Sequence, residues 1–483
     1  MSSVNKNSLR QDFETLQGRF TQLSADGKIS AEVGALVEAL MMLLKLLMAV
    51  FMERNTPKHS ANSSKPSSQM PKDETALVHV GTHSKGKAYK SPQSANTRTV
   101  QSVQISKVGF CKQCAEDLQR VRCQGYERRT LIDIVFEKVV THVDAEIKEC
   151  PHCHTQARGS FPAGFSGPLQ YGAGVKAYVL NLLIAQMVAL KRCQQLVQTL
   201  IGQVISEATI LKYVLVLHQA LEQWEKTAIE DLLKLPAIHL DETSLRVDKK
   251  NHWIHVCSGG DITLKFVHPK RGQEAMQAIG VIPRYGGVII HDCWASYLAY
   301  EHCGHGLCGA HLLRELTFII EADGHAWAKN MKQLLRQTCV RVAKRKRKRL
   351  TPREYQQLQK HYRNIITRGG EQLPPIPARQ NGQRGRVAKS DAHNLWERFK
   401  ENEDAVLLFA RDAHVAFTNN RAERDLRMSK VKQKVSGCFR KAQYAQAYCR
   451  ISSYLQTMAN RGYNPLIAIQ MALSGQLYAK MGE

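Results

Sequence analysis

The sequence predicts a multidomain chain that combines α+β and α/β parts, with a mixed β-sheet in its C-terminal half. Three observations support this. A length of 483 residues is more than one hydrophobic core usually serves. Between residues 237 and 292, three apolar runs, a short helical segment and a fourth apolar run give the order β-β-β-α-β. Upstream lie two cysteine pairs with C-x2-C spacing, which is typical of a metal-binding module.

The charge of the chain indicates a polyanionic partner. Lys and Arg total 68 against 42 Asp and Glu, so the formal net charge is +26. Nucleic acid is the leading candidate, because cations that neutralise phosphates release condensed counterions. An anionic membrane is a weaker rival, since the sequence has no lipidation motif or basic amphipathic helix. The odd number of cysteines, 13, and the lack of a secretion signal predict a reducing, cytoplasmic location.

Residues 1–53 are predicted to form an N-terminal helix with a short coiled coil. Apolar residues follow the 3-4-3-4-3 spacing that buries a seam between two helices. Self-association is expected, and packing of the seam against its own protein is the alternative. The apolar stretch from Ala35 to Met52 contains Glu38 and Lys45, and we expect it to be too short and too charged to span a membrane. The seam consists of Val33, Leu36, Leu40, Leu43, Leu47 and Val50.

A flexible linker is predicted over residues 54–107, which are rich in Ser, Lys, Pro, Asn and Gln and poor in large apolar residues. A zinc-binding module is predicted over residues 108–160. Two strands, 131–136 and 138–143, are expected between its two cysteine pairs. Four thiolates can bind one structural Zn²⁺ tetrahedrally, whereas unrelated buried cysteines are the alternative. The four ligands expected are Cys111, Cys114, Cys150 and Cys153.

Residues 164–234 have the pattern of helices. Gln194–Ile201 and Ser206–Leu217, joined by a short turn with a glycine, suit a helix-turn-helix that contacts DNA. A generic helical bundle has the same pattern. Ser206 is predicted to cap the second helix.

The β-β-β-α-β unit contains the first two candidate catalytic residues. Asp241 lies near the end of the first strand, and Asp292 follows the fourth. If these strands are neighbours, both carboxylates reach one point at the sheet edge, where oxygen ligands suit Mg²⁺. Glu242 is expected to point to the opposite face of the strand. A third carboxylate is available in Glu423, at the start of a predicted helix.

Each of these acidic residues also has a structural interpretation. Asp241 can end a strand at a polar loop, and Asp292 can cap the following helix. Glu423 can form a capping box with Asn420. It can also pair with Arg427 one turn later.

The ordered set of motifs resembles the transposases of the insertion-sequence 66 family, in the DDE superfamily with a ribonuclease H-like catalytic core. The order of coiled coil, cysteine pairs, helical segment and core also fits. The resemblance covers most of the chain and is weakest in the linker. The matching stretches are 241–243, 292–297, 308–314, 419–427 and 430–440.

The resemblance implies a bacterial DNA transposase, cytoplasmic and nucleoid-associated. Asp241, Asp292 and Glu423 would be the catalytic triad, holding two Mg²⁺ ions, with Mn²⁺ as an alternative ion. The implied reaction is cleavage at transposon ends, then transfer of the 3′-hydroxyl into target DNA by in-line displacement. DNA is the implied partner, with small accessory proteins of the same element as a further candidate. A catalytically silent DNA-binding regulator and a nuclease subunit of a larger assembly are the rival functions.

The resemblance also places Cys308 and His311 near the catalytic centre, ordering its surroundings or contacting DNA. Arg314 lies on the same helical face, within reach of a phosphate. The alternative is a second zinc site within the stretch from His302 to His311, which contains several Cys and His residues.

The catalytic core is predicted over residues 235–443, with a basic helical insertion at about 327–396 and a C-terminal helical segment at 444–483. The insertion is expected to follow DNA phosphates, although a run of cations can also be a solvated surface. The predicted DNA-binding residues are Lys344, Arg345, Lys346, Arg347, Lys348, Arg349, Arg427, Lys430, Lys432, Lys434 and Arg440.

Overall fold

The computed structural model describes residues 6–54, 56, 59, 62, 103–131, 137–373, 376 and 389–477. Most of the predicted linker and all but the first residue of one predicted strand, 131–136, lie outside the described residues. The chain divides into two compact units, the first formed by Met1–Thr82 and Glu222–Thr457 and the second by His83–Leu221 and Met458–Glu483.

The described residues form seven strands and sixteen α-helices. The strands are β1 (Ile147–Glu149), β2 (Gln156–Arg158), β3 (Ala237–Val247), β4 (Lys250–Gly259), β5 (Ile262–His268), β6 (Val288–His291) and β7 (Gly304–Leu307). The helices are α1 (Lys6–Ala25), α2 (Ala31–Arg54), α3 (Ala173–Leu180), α4 (Leu190–Ile201), α5 (Glu207–Ala220), α6 (Glu222–Leu233), α7 (Gln273–Ile279), α8 (Ala295–Leu298), α9 (Gly309–Asp323), α10 (Ala326–Lys344), α11 (Pro352–Gln372), α12 (Asp391–Glu401), α13 (Glu403–Arg411), α14 (Asn420–Ser436), α15 (Ala442–Asn460) and α16 (Pro465–Leu473).

The first unit is built on a mixed five-stranded sheet in the order β5-β4-β3-β6-β7. The β3–β4 and β4–β5 pairs are antiparallel, whereas β3–β6 and β6–β7 are parallel. The four predicted strands and the crossover helix α7 are confirmed, and β7 is an additional strand that the sequence pattern did not indicate. The β3–β4 turn uses Asp248 and Lys249, which both have positive φ. That conformation matches the twist of a tight hairpin.

The stretch predicted as an insertion is helical, and its helices form an apolar layer with α9. Trp327 at the start of α10 is fully buried and packs edge-on against Phe399 of α12, with ring centroids 6.4 Å apart. Tyr362 of α11 donates its hydroxyl hydrogen bond to the Phe399 carbonyl at 2.7 Å. Residues 368–386 are rich in Gly, Pro and Arg, which predicts a loop; they begin within α11, which ends at Gln372, and otherwise lie mostly outside the described residues.

The α14 and α15 helices attach to the sheet through buried polar contacts. Asp425 of α14 accepts hydrogen bonds from the hydroxyls of Ser258 at 2.7 Å and Thr263 at 2.9 Å. Lys265 of β5 is 1% exposed and donates to the Ser452 hydroxyl of α15 at 2.8 Å. Buried polar groups need such partners to offset their desolvation, so these contacts fix both helices in position.

The α2 helix leaves the predicted seam at the surface. Leu36 is 74% exposed and Leu47 64% exposed. Its C-terminal end is anchored, because the Glu53 carboxylate accepts hydrogen bonds from the backbone N–H groups of Asp391 and Ala392. These N–H groups begin α12 and favour an anionic partner.

The α2 helix extends beyond the apolar stretch from Ala35 to Met52 at both ends. By length and composition alone, Ala31–Phe51 can cross a membrane, with a mean hydropathy of 2.2 and no part of it buried. The expectation that this stretch is too short is therefore wrong.

The second unit contains the cysteine pairs and a helical part. Strands β1 and β2 flank the second cysteine pair. The predicted strand 138–143 is wrong, because those residues have no regular structure and Val139 is 83% exposed. In the helical part, α16 packs against α3 and α5. The predicted serine cap is confirmed, since the Ser206 hydroxyl accepts a hydrogen bond from Thr209 N–H at 3.1 Å.

Candidate active site

Two of the predicted triad residues lie at the same edge of the sheet because β3 and β6 are parallel neighbours. His239 of β3 pairs with Ile290 of β6. Two residues farther along each strand, that register brings Asp241 opposite Asp292. Asp292 directly follows β6, and its Oδ1 accepts a hydrogen bond from Trp294 N–H at 3.2 Å.

The third carboxylate, Glu423, lies in the first turn of α14. Burial raises the pKa of Asp241 well above its usual value, and the charges of three neighbouring carboxylates raise it further. Those neighbours are Glu242, Asp292 and Glu423. Residues far apart along the chain thus share one negatively charged environment. Among the described residues, however, these carboxylates do not form a group whose oxygen atoms all lie within 4.8 Å of one another, so their role as a triad of Mg²⁺ ligands stays a prediction.

Glu242 is already compensated by other side chains. Its side chain is 2% exposed, and Arg271 donates two hydrogen bonds to its Oε1. The Tyr297 hydroxyl donates to its Oε2. The Arg271 guanidinium is stacked between two indoles, at 4.9 Å from the Trp253 ring centroid and 4.2 Å from that of Trp294. Burial nevertheless raises the pKa of Glu242, and the charge of nearby Asp292 raises it further.

A pair of histidines holds the turn that carries Asp292. His291 is fully buried, and its Nδ1 accepts a hydrogen bond from Cys293 N–H at 3.1 Å. Its Nε2 therefore carries the hydrogen and donates to His305 Nδ1 at 3.0 Å. Burial, together with His305, lowers the pKa of His291 to about 3, which keeps it neutral. Cys293 has a φ of +70°, a strained value for a residue with a side chain, so this support stabilises the turn.

Asn419 connects the Glu423 helix to the Asp241 strand. It occupies the N-cap position of α14, but its side chain makes no capping hydrogen bond. Instead its Nδ2 donates to the Leu240 carbonyl at 2.7 Å, and its Oδ1 lies 3.0 Å from Nδ1 of His239. The alternative interpretation of Asn420 and Glu423 as a capping box is wrong, because α14 begins at Asn420, one residue earlier than that motif requires, and its N-cap residue is Asn419.

Cys308, His311 and Arg314 lie next to Glu423. Cys308 is the N-cap residue of α9, and its sulfur accepts a hydrogen bond from Asn419 N–H at 3.1 Å. Nδ1 of His311 lies 3.6 Å from Oε1 of Glu423, and Nη2 of Arg314 lies 4.0 Å from the same oxygen. Among the described residues, Cys308, His311 and Glu423 are the only group of three or more Cys, His, Asp or Glu with ligand atoms all within 4.8 Å.

The alternative zinc site between His302 and His311 is not assembled. The Cys303 thiol donates to the Tyr285 carbonyl at 3.1 Å, whereas His305 bonds to His291. These side chains point to different neighbours, so they do not surround one position.

The two cysteine pairs of the second unit are closed by matching turns. In the first, Ala115 N–H donates to the Cys111 carbonyl, and in the second, His154 N–H donates to the Cys150 carbonyl. Both donor residues have positive φ. The structure does not bring the two pairs into one group of ligand atoms within 4.8 Å. The structural zinc therefore stays a prediction.

The predicted basic residues differ in exposure. Arg345 is paired with Glu354, and Lys348 donates to the Ala343 carbonyl. Lys432 is only 8% exposed, because it lies on the face of α14 that packs against the sheet. It is therefore not part of an accessible surface. Lys430 is half-buried, with its Nζ 3.4 Å from the Ser244 carbonyl. The exposed predicted cations are Lys344, Lys346, Arg347, Lys348, Arg349, Arg427, Lys434 and Arg440.

A basic stripe on α10 was not predicted from the sequence. Lys329, Lys332 and Arg336 line a groove along this helix together with Lys344. Their spacing of three, four and eight residues places them on one face. The helical spacing of these cations in the sequence could have indicated the stripe. The adjacent run of six cations after residue 343 is the more conspicuous charge pattern, and the prediction was based on that run.

Comparison with known proteins identifies the chain at family level. The model of the family described as "Transposase IS66 family" matches residues 168–447, which is more than half of the chain. No curated protein matches the chain.

Proposed function

Because this chain belongs to the IS66 family of transposases, and is therefore a nucleic-acid-processing enzyme that acts on DNA with divalent metal, we propose a specific reaction. It cleaves DNA at transposon ends and joins the resulting 3′-end to target DNA, using Mg²⁺. In the first step, water attacks the end phosphate and releases a 3′-hydroxyl. In the second, that hydroxyl attacks a target phosphate and displaces a target 3′-oxygen, so one P–O bond forms for each that breaks.

The observation that carries this proposal is the shared charge of Asp241, Asp292 and Glu423. Burial raises the pKa of the Asp241 carboxyl, and its acidic neighbours raise it further because they repel its ionised form; a bound cation would relieve that repulsion. The donor set is oxygen only, which fits Mg²⁺, with Mn²⁺ as the alternative ion. Asp241, Asp292 and Glu423 would hold two Mg²⁺ ions, whose chemistry would be activation of the attacking oxygen and stabilisation of the leaving oxygen in an in-line displacement.

The remaining site residues have positioning roles in this proposal. His291 fixes the turn that holds Asp292, and Asn419 holds the Glu423 helix on β3. Arg271 neutralises Glu242, which leaves the other three carboxylates as the metal ligands. A ribonuclease H-like core is supported by the antiparallel β3–β4–β5 strands followed by the crossover to parallel β6.

The DNA surface in this proposal consists of the exposed cations and the α10 stripe. These lie in the same compact unit as the acidic residues. Arg314 is 28% exposed beside Glu423, where it can reach a phosphate next to the reacting one. A DNA-contacting role for α4 and α5, self-association through α2 and accessory partners stay predictions.

The decisive experiment is cleavage of DNA that carries the element's own ends by the Asp292→Asn variant. We expect loss of Mg²⁺-dependent cleavage by at least about a thousandfold, as for a lost electrostatic contribution of roughly 4 kcal/mol. Affinity for the same DNA, measured in Ca²⁺, should change little because the positive surface is intact. Asp248→Asn, in the exposed β3–β4 turn, is the matched control.

Unchanged cleavage by Asp292→Asn would remove this residue from the triad. DNA binding without any cleavage by the wild-type chain would instead favour the catalytically silent regulator.

A further inference from the structure

Three chemically different ligand atoms meet beside the proposed triad. The Cys308 sulfur, a ring nitrogen of His311 and a carboxylate oxygen of Glu423 all lie within 4.8 Å of one another. Cys308 is 1% exposed, and the side chains of His311 and Glu423 are 14% and 32% exposed. The cluster is thus partly sheltered and opens on the side of Glu423.

Two atoms of this cluster are buried without a hydrogen-bond partner. Nδ1 of His311 and Oε1 of Glu423 face each other at 3.6 Å, and neither makes a hydrogen bond. A distance of about 3 Å would have satisfied both atoms directly. Leaving a buried polar atom unsatisfied costs free energy, so this separation points to a group that bridges the two.

The three residues lie at the starts of two helices, and a hydrogen bond connects those two helix starts. Cys308 and His311 lie three residues apart at the start of α9, while Glu423 lies in the first turn of α14. The hydrogen bond from Asn419 N–H to the Cys308 sulfur joins the two helix starts. Arg314 is the competing cation, but its Nη2 lies 4.0 Å from the Glu423 oxygen, beyond hydrogen-bond distance.

The ligand types select a class of metal. Thiolate and imidazole ligands suit borderline-soft cations such as Zn²⁺, whereas Mg²⁺ takes oxygen. We propose that Cys308, His311 and Glu423 form a three-ligand site for a thiophilic divalent cation of the zinc class, distinct from the structural zinc module. On binding, the Cys308 thiol releases its proton to solvent and forms a metal–thiolate bond, the imidazole binds as the neutral base, and the fourth position stays open.

Occupation of this site takes Glu423 away from the oxygen-only triad. A zinc-class cation should therefore inhibit Mg²⁺-dependent cleavage. This consequence rests on the proposed function, whereas binding of the cation does not.

The test is Co²⁺ titration of the full-length chain in which Cys111, Cys114, Cys150 and Cys153 are replaced by Ser. This background removes the other cysteine pairs. We expect one Co²⁺ per chain, with the near-ultraviolet charge-transfer absorption of a cobalt–thiolate bond, and its displacement by Zn²⁺. Absence of that absorption in the folded background protein would overturn the site.

Substitutions in the same background identify the ligands. Cys308→Ser should abolish the charge-transfer band, and His311→Gln should weaken Co²⁺ binding at least about tenfold, since even outer-shell changes cost that much. Cys339→Ser, at a half-buried cysteine of α10, is the matched control and should keep the band. A band that survives Cys308→Ser, or unchanged affinity in folded His311→Gln, would overturn the assignment.

The titration uses neither DNA nor Mg²⁺, so its outcome is independent of cleavage. A cobalt–thiolate band together with full cleavage by Asp292→Asn would reject the proposed triad and keep this site. Loss of cleavage in Asp292→Asn without any cobalt–thiolate band would support the proposed triad and overturn this site.

Discussion

Asn419 is a buried residue that connects three elements, β3, α9 and α14. Its side chain reaches Leu240 and His239 on β3, and its backbone N–H reaches the sulfur of Cys308 at the start of α9. It is 1% exposed. Because the side chain makes no bond to its own helix, its contribution is the placement of Glu423 relative to Asp241.

We expect Asn419→Ala to lower cleavage much more than DNA binding. The substitution leaves the buried Leu240 carbonyl without its donor, which costs about 1–3 kcal/mol of stability. It also frees the start of α14, so Mg²⁺-dependent cleavage should fall at least about tenfold at a temperature where the variant is folded. Urea unfolding and cleavage assays measure the two effects. Asn420→Ala, at the exposed neighbour, should change neither, and equal effects of both substitutions would contradict the positioning role.

Lys265 is a buried cation in the sheet of the first unit. Burial lowers its pKa from 10.5 to about 8, although the charge of Asp425 acts in the opposite direction. The folded protein therefore binds the proton less tightly than the unfolded chain. Between about pH 8 and pH 10.5 the unfolded state holds more protons, so the free energy of unfolding rises with pH across this window.

Lys265→Met should remove that rise. Relative to the wild type, the variant should gain stability at pH 7, and the gain should shrink by up to about 3 kcal/mol as the pH reaches 10.5. Urea unfolding at a series of pH values measures the difference. Lys250→Met, at an exposed position of β4, is the control and should follow the wild type. A pH-independent difference for Lys265→Met would mean that the ammonium group is not desolvated.

At the scale of elements, the strands β3 to β6 could be predicted because each combines an apolar run with a turn signal. The β7 strand could not, since it has four residues and two of them are glycines. A side chain at Gly306 would lie 2.9 Å from Val415, and one at Gly304 would lie 3.0 Å from Val288. These glycines allow close packing at the edge of the sheet, and such a tertiary constraint leaves no apolar periodicity to detect.

The stretch 138–143 was predicted as a strand but does not form one, whereas β7 forms without a strand pattern in its sequence. Its β-branched residues have the local preference for a strand, but Val139 is 83% exposed and Val140 59% exposed. β-propensity depends on a partner strand and on burial, and neither is present there among the described residues.

The α10 stripe can be tested as an element. We expect Lys329→Gln, Lys332→Gln and Arg336→Gln together to weaken DNA binding and to reduce the salt dependence of log K by roughly one for each lost phosphate contact. Fluorescence anisotropy over a range of salt concentrations measures both quantities. Helical spacing brings these three cations onto one face of α10, where they line a groove.

The matched control removes the same charge from α11. Arg353, Lys360 and Arg368 are exposed there, and their replacement by Gln should leave the salt dependence close to that of the wild type. Equal losses in the two triple variants would mean that only net charge matters.

At the scale of the whole molecule, the acidic residues proposed for the site could be named from the sequence, but the residues that hold their strands and helices in place could not. Strand order and the resemblance were enough to select Asp241, Asp292 and Glu423. The His291–His305 pair and the contacts of Asn419 depend on which elements become neighbours in three dimensions. No spacing along the chain records those contacts, because the partners come from separate strands and helices.

The surface of α2 is the remaining feature at this scale, because a long apolar helix is exposed while its end is anchored by Glu53. Exposed apolar seams of this kind are typical of association sites. We expect Leu36→Glu with Leu43→Glu to lower the mass measured by light scattering to that of a single chain. Met42→Glu, outside the seam on the same helix, should keep the mass of the wild type. An unchanged mass in the double variant, or loss of wild-type protein to lipid vesicles in a flotation assay, would contradict self-association and favour a membrane contact instead.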